Sequence, residues 1–282
     1  MRIAYLGPEG TNSHEALLAA VAGTTGEHEL VSLATIYDCV MAVEHGKAER
    51  AFVPIENALE GSVNATLDAL AVETENVAIV GEHVHAIHTC LIAKRPRELR
   101  AIETVHSHPQ ANAQCAHFLR TRLPQAHVLA ASSTAEAVRA VSEHDDTSAA
   151  LGSRTAAEIY GCEILCADVD DAAGNETRFV LLGKRGSDPA SVAEHGPWKT
   201  AIVFWGVGAE APGWLVRCLS ELSSRDVNLT RIESRPRKQG LGRYMFFCDL
   251  EGRDTEGPVA EALAGLRTHV EHLRVLGSFP AA

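Results

Sequence analysis

A chain of 282 residues, 46% hydrophobic and 22% charged, is long enough to bury more than one core, so it predicts two domains, or three small lobes, rather than one. Its formal net charge of −12 excludes nucleic acid as the main partner, because neutralising phosphates takes clustered Lys and Arg. An anionic small molecule stays open, since one Arg or a few helix N-termini hold such a ligand whatever the total charge.

From the start, short apolar runs alternate with helical patterns. Residues 3–6 read as a strand ahead of a helix from about Ser13, residues 29–33 as a strand ahead of a helix from Ile36, and residues 51–55 as a strand ahead of a helix over 64–70. That alternation predicts a mainly parallel α/β sheet. Strands over 77–84 and 87–93, a helix opened by the His-Ser-His-Pro at 106–109, a strand near Val128, a helix from Ser133 and a strand near Ala149 predict a second α/β lobe. Residues 184–197 lose all periodicity and collect Gly, Pro, Ser and charge, which reads as a linker. Beyond it come strands over 200–207, 227–233, 243–250 and 273–279, with a helix after Pro212 and another over about 257–270. The order β-α-β-β-α-β is that of a ferredoxin-like unit.

The seven cysteines are odd in number, scattered and without a C-x-x-C pair, and read as reduced core residues. Met1 runs directly into a strand rather than a charged leader, and no apolar run approaches membrane length. A soluble, cytoplasmic protein with no membrane partner is the expectation.

Four polar turns carry candidate chemistry. Gly7-Pro8-Glu9-Gly10-Thr11-Asn12-Ser13 ends the first strand and starts a helix, where free N–H groups and the hydroxyls of Thr11 and Ser13 make a carboxylate site. No Gly-Lys-Ser or Gly-Lys-Thr follows, so it is not a phosphate loop. Pro54-Ile55-Glu56-Asn57 leaves Asn57, a donor and acceptor together, at the C-terminal end of a buried strand, where open α/β sheets bind ligands. Ser107-His108-Pro109-Gln110 opens a capped helix in which Ser107 can hold a second carboxylate and His108 is the better acid or base candidate, with Gln114 on the same helix. Ser132-Ser133-Thr134 again starts a helix with hydroxyls. Taken alone, each is also an ordinary capped turn.

The most specific segment is Thr177-Arg178-Phe179. It pairs a neutral hydroxyl with a permanent cation, which suits protonating a leaving group on an anion. In the dense run His83, His85 and His88, strand geometry puts the first two on one face and the third on the other, with no carboxylate fixed by spacing, so no metal site is expected.

In this order, G-P-E-G-T-x-S, P-I-E-N, E-G-S-V, S-H-P-Q, S-T-A, Y-G and N-x-T-R-F closely resemble the prephenate dehydratase family over residues 1 to about 183. The tail, with Asn228-Leu229-Thr230-Arg231-Ile232-Glu233-Ser234-Arg235-Pro236, resembles an ACT regulatory domain of phenylalanine-sensing dehydratases. The resemblance implies a catalytic domain at 1–183 made of two lobes with the fold of a periplasmic-type binding protein and a cleft between them, a linker at 184–197 and an ACT domain at 198–282. It implies conversion of prephenate to phenylpyruvate, water and carbon dioxide without a cofactor, with inhibition by L-phenylalanine and a homodimer or homotetramer joined through the ACT units.

The resemblance assigns Thr177 to the leaving hydroxyl, where it acts as a hydrogen-bond donor or relay. Arg178 is then expected to fork onto a carboxylate, and Phe179 to pack beneath the ring and exclude water. Thr11, Ser13, Asn57, Ser107, His108 and Gln114 are the expected substrate contacts. Gly213, Trp214, Leu215, Asn228, Leu229 and the turn at Glu233, Ser234, Arg235 and Pro236 are the expected effector contacts. The chain departs from the family pattern at Ala58, where Ser is usual, at Asn12, where an aromatic residue is common, and at Trp214, which replaces a small residue. Trp214 is left with two readings, filling the phenylalanine pocket or facing a partner subunit.

Overall fold

The computed structural model describes residues 1–24, 26–144, 147–189, 197–206, 208, 211–255 and 257–282. The first half runs β1 (Arg2–Leu6), α1 (Asn12–Val21), β2 (Glu29–Leu33), α2 (Ile36–Glu44), β3 (Arg50–Asn57), β4 (Gly61–Ser62), α3 (Asn64–Asp68), a π-helical turn (Ala69–Glu73), β5 (Val77–Ala86), β6 (Cys90–Ala93) and β7 (Thr104–Ser107). It continues α4 (Pro109–Gln114), α5 (Ala116–Arg122), β8 (His127–Ala130), α6 (Thr134–Glu143), β9 (Ser148–Gly152), α7 (Arg154–Ile159), β10 (Glu163–Cys166) and β11 (Glu176–Lys184). The last part is β12 (Trp198–Trp205), α8 (Trp214–Ser223), β13 (Leu229–Pro236), β14 (Tyr244–Glu251), α9 (Gly257–Leu266) and β15 (His272–Pro280).

Three sheets result, ordered β2-β1-β3-β11-β5 with β4 on β3, β10-β6-β9-β7-β8, and β13-β14-β12-β15. In the first, β1 and β2 pair in parallel. The second is mixed: β7 is parallel to β8 and β9, while β6 runs antiparallel to β9 and β10. The central strands β6 and β9 are buried on both faces. Leu91 and Ala93 of β6 enter a core under α4 and α5, and Cys90 and Ile92 enter another with Val138 and Val141 of α6. Side chains alternate across a strand, so a sheet covered on both sides reads as an unbroken apolar run.

The chain divides into two compact units. One comprises Met1–Cys39, Phe52–Gly61 and Val84–Phe179; the other comprises Val40–Ala51, Ser62–His83 and Val180–Ala282. These limits differ from those read off the sequence, because the last hundred residues make side-chain contacts with residues 62–83: Arg274 donates to Thr74, and Lys199 Nζ lies 2.6 Å from Glu82 Oε1. Residues 190–196 of the expected linker fall outside the described residues.

In the second unit the β12-to-β15 segment follows the anticipated β-α-β-β-α-β order, with the β13–β14, β14–β12 and β12–β15 pairings all antiparallel. Helices α8 and α9 cover it through Cys218, Leu222, Leu263 and Leu266 against Ile202, Phe204, Cys248 and Leu250. One expectation is corrected here. Glu233, Ser234, Arg235 and Pro236 form no turn but complete β13, paired with β14 as far as Pro236 opposite Tyr244. Proline is tolerated there because β13 lies at the sheet edge, where a missing N–H costs no ladder bond.

Candidate active site

A cavity of about 320 Å³ lies wholly within the first unit, and the starts of α1, α4 and α6 and the ends of β3 and β11 line it. Thr11 caps α1, its Oγ1 accepting from His14 N at 3.4 Å, which leaves Asn12 and Ser13 at the cavity wall. Gly7 precedes this turn because a Cβ there would fall 1.8 Å from Ser32 Oγ. Ser133 caps α6 in the same way, accepting from Glu136 N at 3.0 Å, and Ser132 and Thr134 flank it in the lining. Two ten-residue helices thus present their N-terminal hydroxyls, and the positive ends of their dipoles, to one cavity.

Thr177 begins β11 with 9% of its surface exposed, and its hydroxyl is oriented by a chain of amides. Gln114 Nε2 donates to Glu60 Oε1 (3.2 Å), Asn175 Nδ2 to Gln114 Oε1 (3.3 Å), and Asn57 Nδ2 to Asn175 Oδ1 (2.8 Å) and to Thr177 Oγ1 (2.9 Å). The carbonyl of Asn57 accepts from Leu59 N and Glu60 N at 3.0 and 2.9 Å. The Asn57 side-chain amide is thus engaged with the protein through both its NH2 and its oxygen.

Thr11, Ser13, Asn57, His108, Gln114 and Thr177 all line the cavity, and Asn12, Thr89, Gln110, Ser132, Ser133, Thr134 and Asn175 join them. His108 caps α4 with Nδ1 accepting from Gln110 N at 3.3 Å, so in the neutral ring the proton sits on Nε2. Three expected members sit elsewhere. Ser107 is 1% exposed and donates to His108 O. Arg178 points to the opposite face of β11 from Thr177, with Nη1 3.6 Å from Glu56 Oε2. Phe179 stacks on Phe52 at 4.9 Å within the core. No Lys, Arg, Asp or Glu side chain occurs among the described residues of the lining. The departure at Ala58 leaves the cavity untouched, since Ala58 is exposed and outside its wall. Among the described residues no cluster of His, Cys, Asp and Glu fits a metal ion; His88 Nδ1 is instead 3.0 Å from Asp168 Oδ1.

The expected effector residues also find places, all in the second unit. Gly213 caps α8 with φ +77°, a conformation that favours glycine. Trp214 is 4% exposed, packs against Phe204 and Phe246, and donates from Nε1 to His269 O at 2.8 Å. Leu215 and Leu229 pack on the same core, and Asn228 is exposed. Along β13, Ser234 and Pro236 are exposed, while Glu233 and Arg235 turn to the other face, Glu233 accepting from Ser62 Oγ (3.0 Å) and Arg235 Nη2 donating to Asp68 Oδ2 (3.0 Å).

Fold and cavity define an α/β protein with a polar cavity whose described wall carries no Lys, Arg, Asp or Glu side chain. The family model for prephenate dehydratase matches residues 3–187. The prephenate dehydratase of Amycolatopsis methanolica is 40% identical over 282 residues, covering 100% of this chain and 89% of its own. Among solved structures, a prephenate dehydratase from Arthrobacter aurescens in complex with L-Phe superposes with a TM-score of 0.87 at 34% identity, over 99% of this chain and 90% of the other. A chain described as a novel type of quorum quenching acylase has a TM-score of 0.85 at 31% identity, over 100% and 98%. The chain belongs to the prephenate dehydratase family, a family of hydro-lyases.

Proposed function

We propose that decarboxylative dehydration of prephenate runs in the first unit's cavity, with Thr177 as the donor to the departing ring hydroxyl. The ring carboxylate leaves as CO2, its C–C bonding pair moves through the diene, and the C–O bond opposite breaks. One proton taken up at the leaving oxygen makes water, so prephenate dianion and H⁺ become phenylpyruvate, CO2 and H2O. The observation that carries this reading is that Thr177 Oγ1 accepts from Asn57 at 2.9 Å, which leaves its own O–H free to donate into the cavity.

The wall supports the same reading. Backbone and hydroxyl donors at the starts of α1 and α6 suit the two carboxylates, and a wall without fixed cations or anions favours turning a charged carboxylate into neutral CO2. Arg178, paired with Glu56, is assigned to holding β3 against β11 rather than to the anion. Incubating the purified chain with prephenate tests the proposal. Phenylpyruvate is the expected product; a decarboxylated diene that keeps its hydroxyl, or unchanged prephenate, overturns it.

We assign residues 198–282 to an ACT-type regulatory domain that takes L-phenylalanine and inhibits the reaction, following the catalytic domain at 1–183 and the linker at 184–197. The β-α-β-β-α-β order and the N-L-T-R-I-E-S-R-P strand support it, and the exposed face of edge strand β13, with Ile232, Ser234 and Pro236, suits pairing into a homodimer or homotetramer. A cytoplasmic location fits a biosynthetic enzyme of this kind; no helix among the described residues is long and apolar enough to cross a membrane.

A further inference from the structure

A second cavity, of about 520 Å³, lies wholly within the second unit, beside the π-helical turn and the adjoining ends of β12, β13 and β15. Three guanidinium groups converge on it. Arg274 donates to the Thr74 carbonyl, to Thr74 Oγ1 at 3.5 Å and to Val77 O at 3.5 Å; Arg185 donates to Val275 O at 3.1 Å and to Glu75 O at 3.5 Å; Arg237 lies over the Trp205 ring at 5.0 Å. Every one of these partners is neutral. Glu75 is the only carboxylate residue among the described lining, and it is ion-paired with none of the three.

Like charges gathered in a half-buried space raise one another's energy, and an entering anion relieves it. The crowding registers on the groups themselves: burial, then the neighbouring Arg185, pushes the Arg274 guanidinium below its usual value against the smaller opposing pulls of Glu44 and Glu75, and burial followed by Arg274 and Arg237 pushes His272 down. The rest of the wall is apolar, from Ala71, Val72 and Met245 and from Trp205 stacked on His272 at 4.0 Å. The volume falls within the range of about 300–1,000 Å³ typical of small-molecule pockets.

We propose that this cavity is a second ligand site, for a small organic anion with an apolar body and no ammonium group, its carboxylate on Arg185 and Arg274 and its body against Val72 and Met245. An amino acid is disfavoured, because its ammonium would stand among three cations. Aromatic and 2-oxo carboxylates, the reaction's own product included, belong to the class that fits.

Trp205 lines the cavity and supplies a local readout. The full chain is titrated with 3-phenylpropanoate, with L-phenylalanine and with inorganic phosphate, following tryptophan emission and heat. The expected result is a saturable emission change with 3-phenylpropanoate that is absent from Trp205→Phe, is about tenfold or more weaker in Arg274→Gln, as for a lost charged hydrogen bond, and is not displaced by L-phenylalanine. Arg274→Gln also loses bonds to Thr74 and Val77; Arg237→Gln, whose guanidinium lies over the Trp205 ring, gives a second variant with weaker binding expected. No saturable change, unaltered affinity in Arg237→Gln, displacement by L-phenylalanine, or phosphate binding as tightly as the aromatic acid would each overturn the proposal.

Discussion

Asn57 Nδ2 donates to Thr177 Oγ1 at 2.9 Å, and this bond decides which way the threonine's own proton faces. A hydroxyl has one proton and two lone pairs; with one lone pair taken by an amide, the proton is left for the cavity.

The first prediction follows from that bond. Thr177→Val keeps the shape of the side chain and removes the donor, so kcat is expected to fall about 10²- to 10⁴-fold. Asn57→Asp puts an acceptor where a donor stood, and Thr177 then turns its proton toward the new carboxylate and away from the substrate. Loss of kcat with a smaller change in KM is expected from steady-state rates. Wild-type kcat in Asn57→Asp would show that the amide does not set the hydroxyl's direction.

Substrate affinity is predicted to reside in the helix starts. Ser13→Ala removes a lining hydroxyl at α1 and is expected to raise KM about tenfold, the size of one hydrogen bond to a charged group. Arg178→Lys, remote from the lining and facing Glu56, should leave KM within about threefold of wild type. The reverse ranking in a KM series would return the carboxylate to Arg178.

The sequence carried much of the element order and placed the four polar turns at helix starts and a strand end, because Gly, Pro and hydroxyl caps are local signals, but it gave no α5, α7, β10 or β11. Orientation was harder to read. Arg178 and Phe179 adjoin Thr177 in sequence, yet the strand turns Arg178 to the opposite face and carries Phe179 into the core against Phe52. Asn175, which links Gln114 to Asn57, was legible only as the first residue of N-x-T-R-F, and its bonds appear once the strands are paired. The Ser132-Ser133-Thr134 turn was legible as a helix start, but only the fold brings it to the same cavity as Thr11.

Acid should destabilise the first unit through His14. Burial pushes its pKa below the ordinary imidazole value, and the ring stacks on Tyr5 while Nδ1 accepts from Gly10 N at 3.1 Å, which requires the neutral form. The unfolded chain therefore binds the proton first. The stability this confers is full above a pH of about 6.5 and is lost as the pH falls from there through the folded-state value. Thermal melts at pH values of about 7.5 and 5.5 are expected to differ less in His14→Gln, which keeps an acceptor for Gly10 N, than in the native chain. An equal difference would remove His14 from the account.

Trp214→Ala is expected to lower stability rather than sharpen any effector response. The indole fills the core between α8 and the sheet and satisfies its N–H on His269 O, so truncation leaves a large void and costs about 3–5 kcal/mol. Denaturant midpoints measure it. A stable variant with tighter L-phenylalanine binding would mean that the indole occupies effector space after all.

The last prediction separates regulation from catalysis at Asp68. Arg235 and Lys238 both bind its carboxylate, at 3.0 and 2.9 Å; burial pushes the Asp68 pKa up, and the hydrogen bonds from these two cations outweigh it and hold the group below its ordinary value and charged. Ser62 donates to Glu233 and accepts from Arg231 at 2.8 Å, so the strand that carries the N-L-T-R-I-E-S-R-P motif is tied twice to residues 62–68. If that strand takes part in binding L-phenylalanine, the ties are the physical path by which occupancy reaches the segment that follows Asn57 in the chain. Asp68→Asn weakens both cation contacts while leaving the first unit's cavity unaltered. Wild-type kcat and KM without effector are therefore expected, together with inhibition by L-phenylalanine reduced by a coupling of about 1–3 kcal/mol. Inhibition curves on the two proteins, with L-phenylalanine binding measured by calorimetry, test this. Retained binding with lost inhibition is the expected pair, and inhibition identical to the native chain would show that coupling runs by another route.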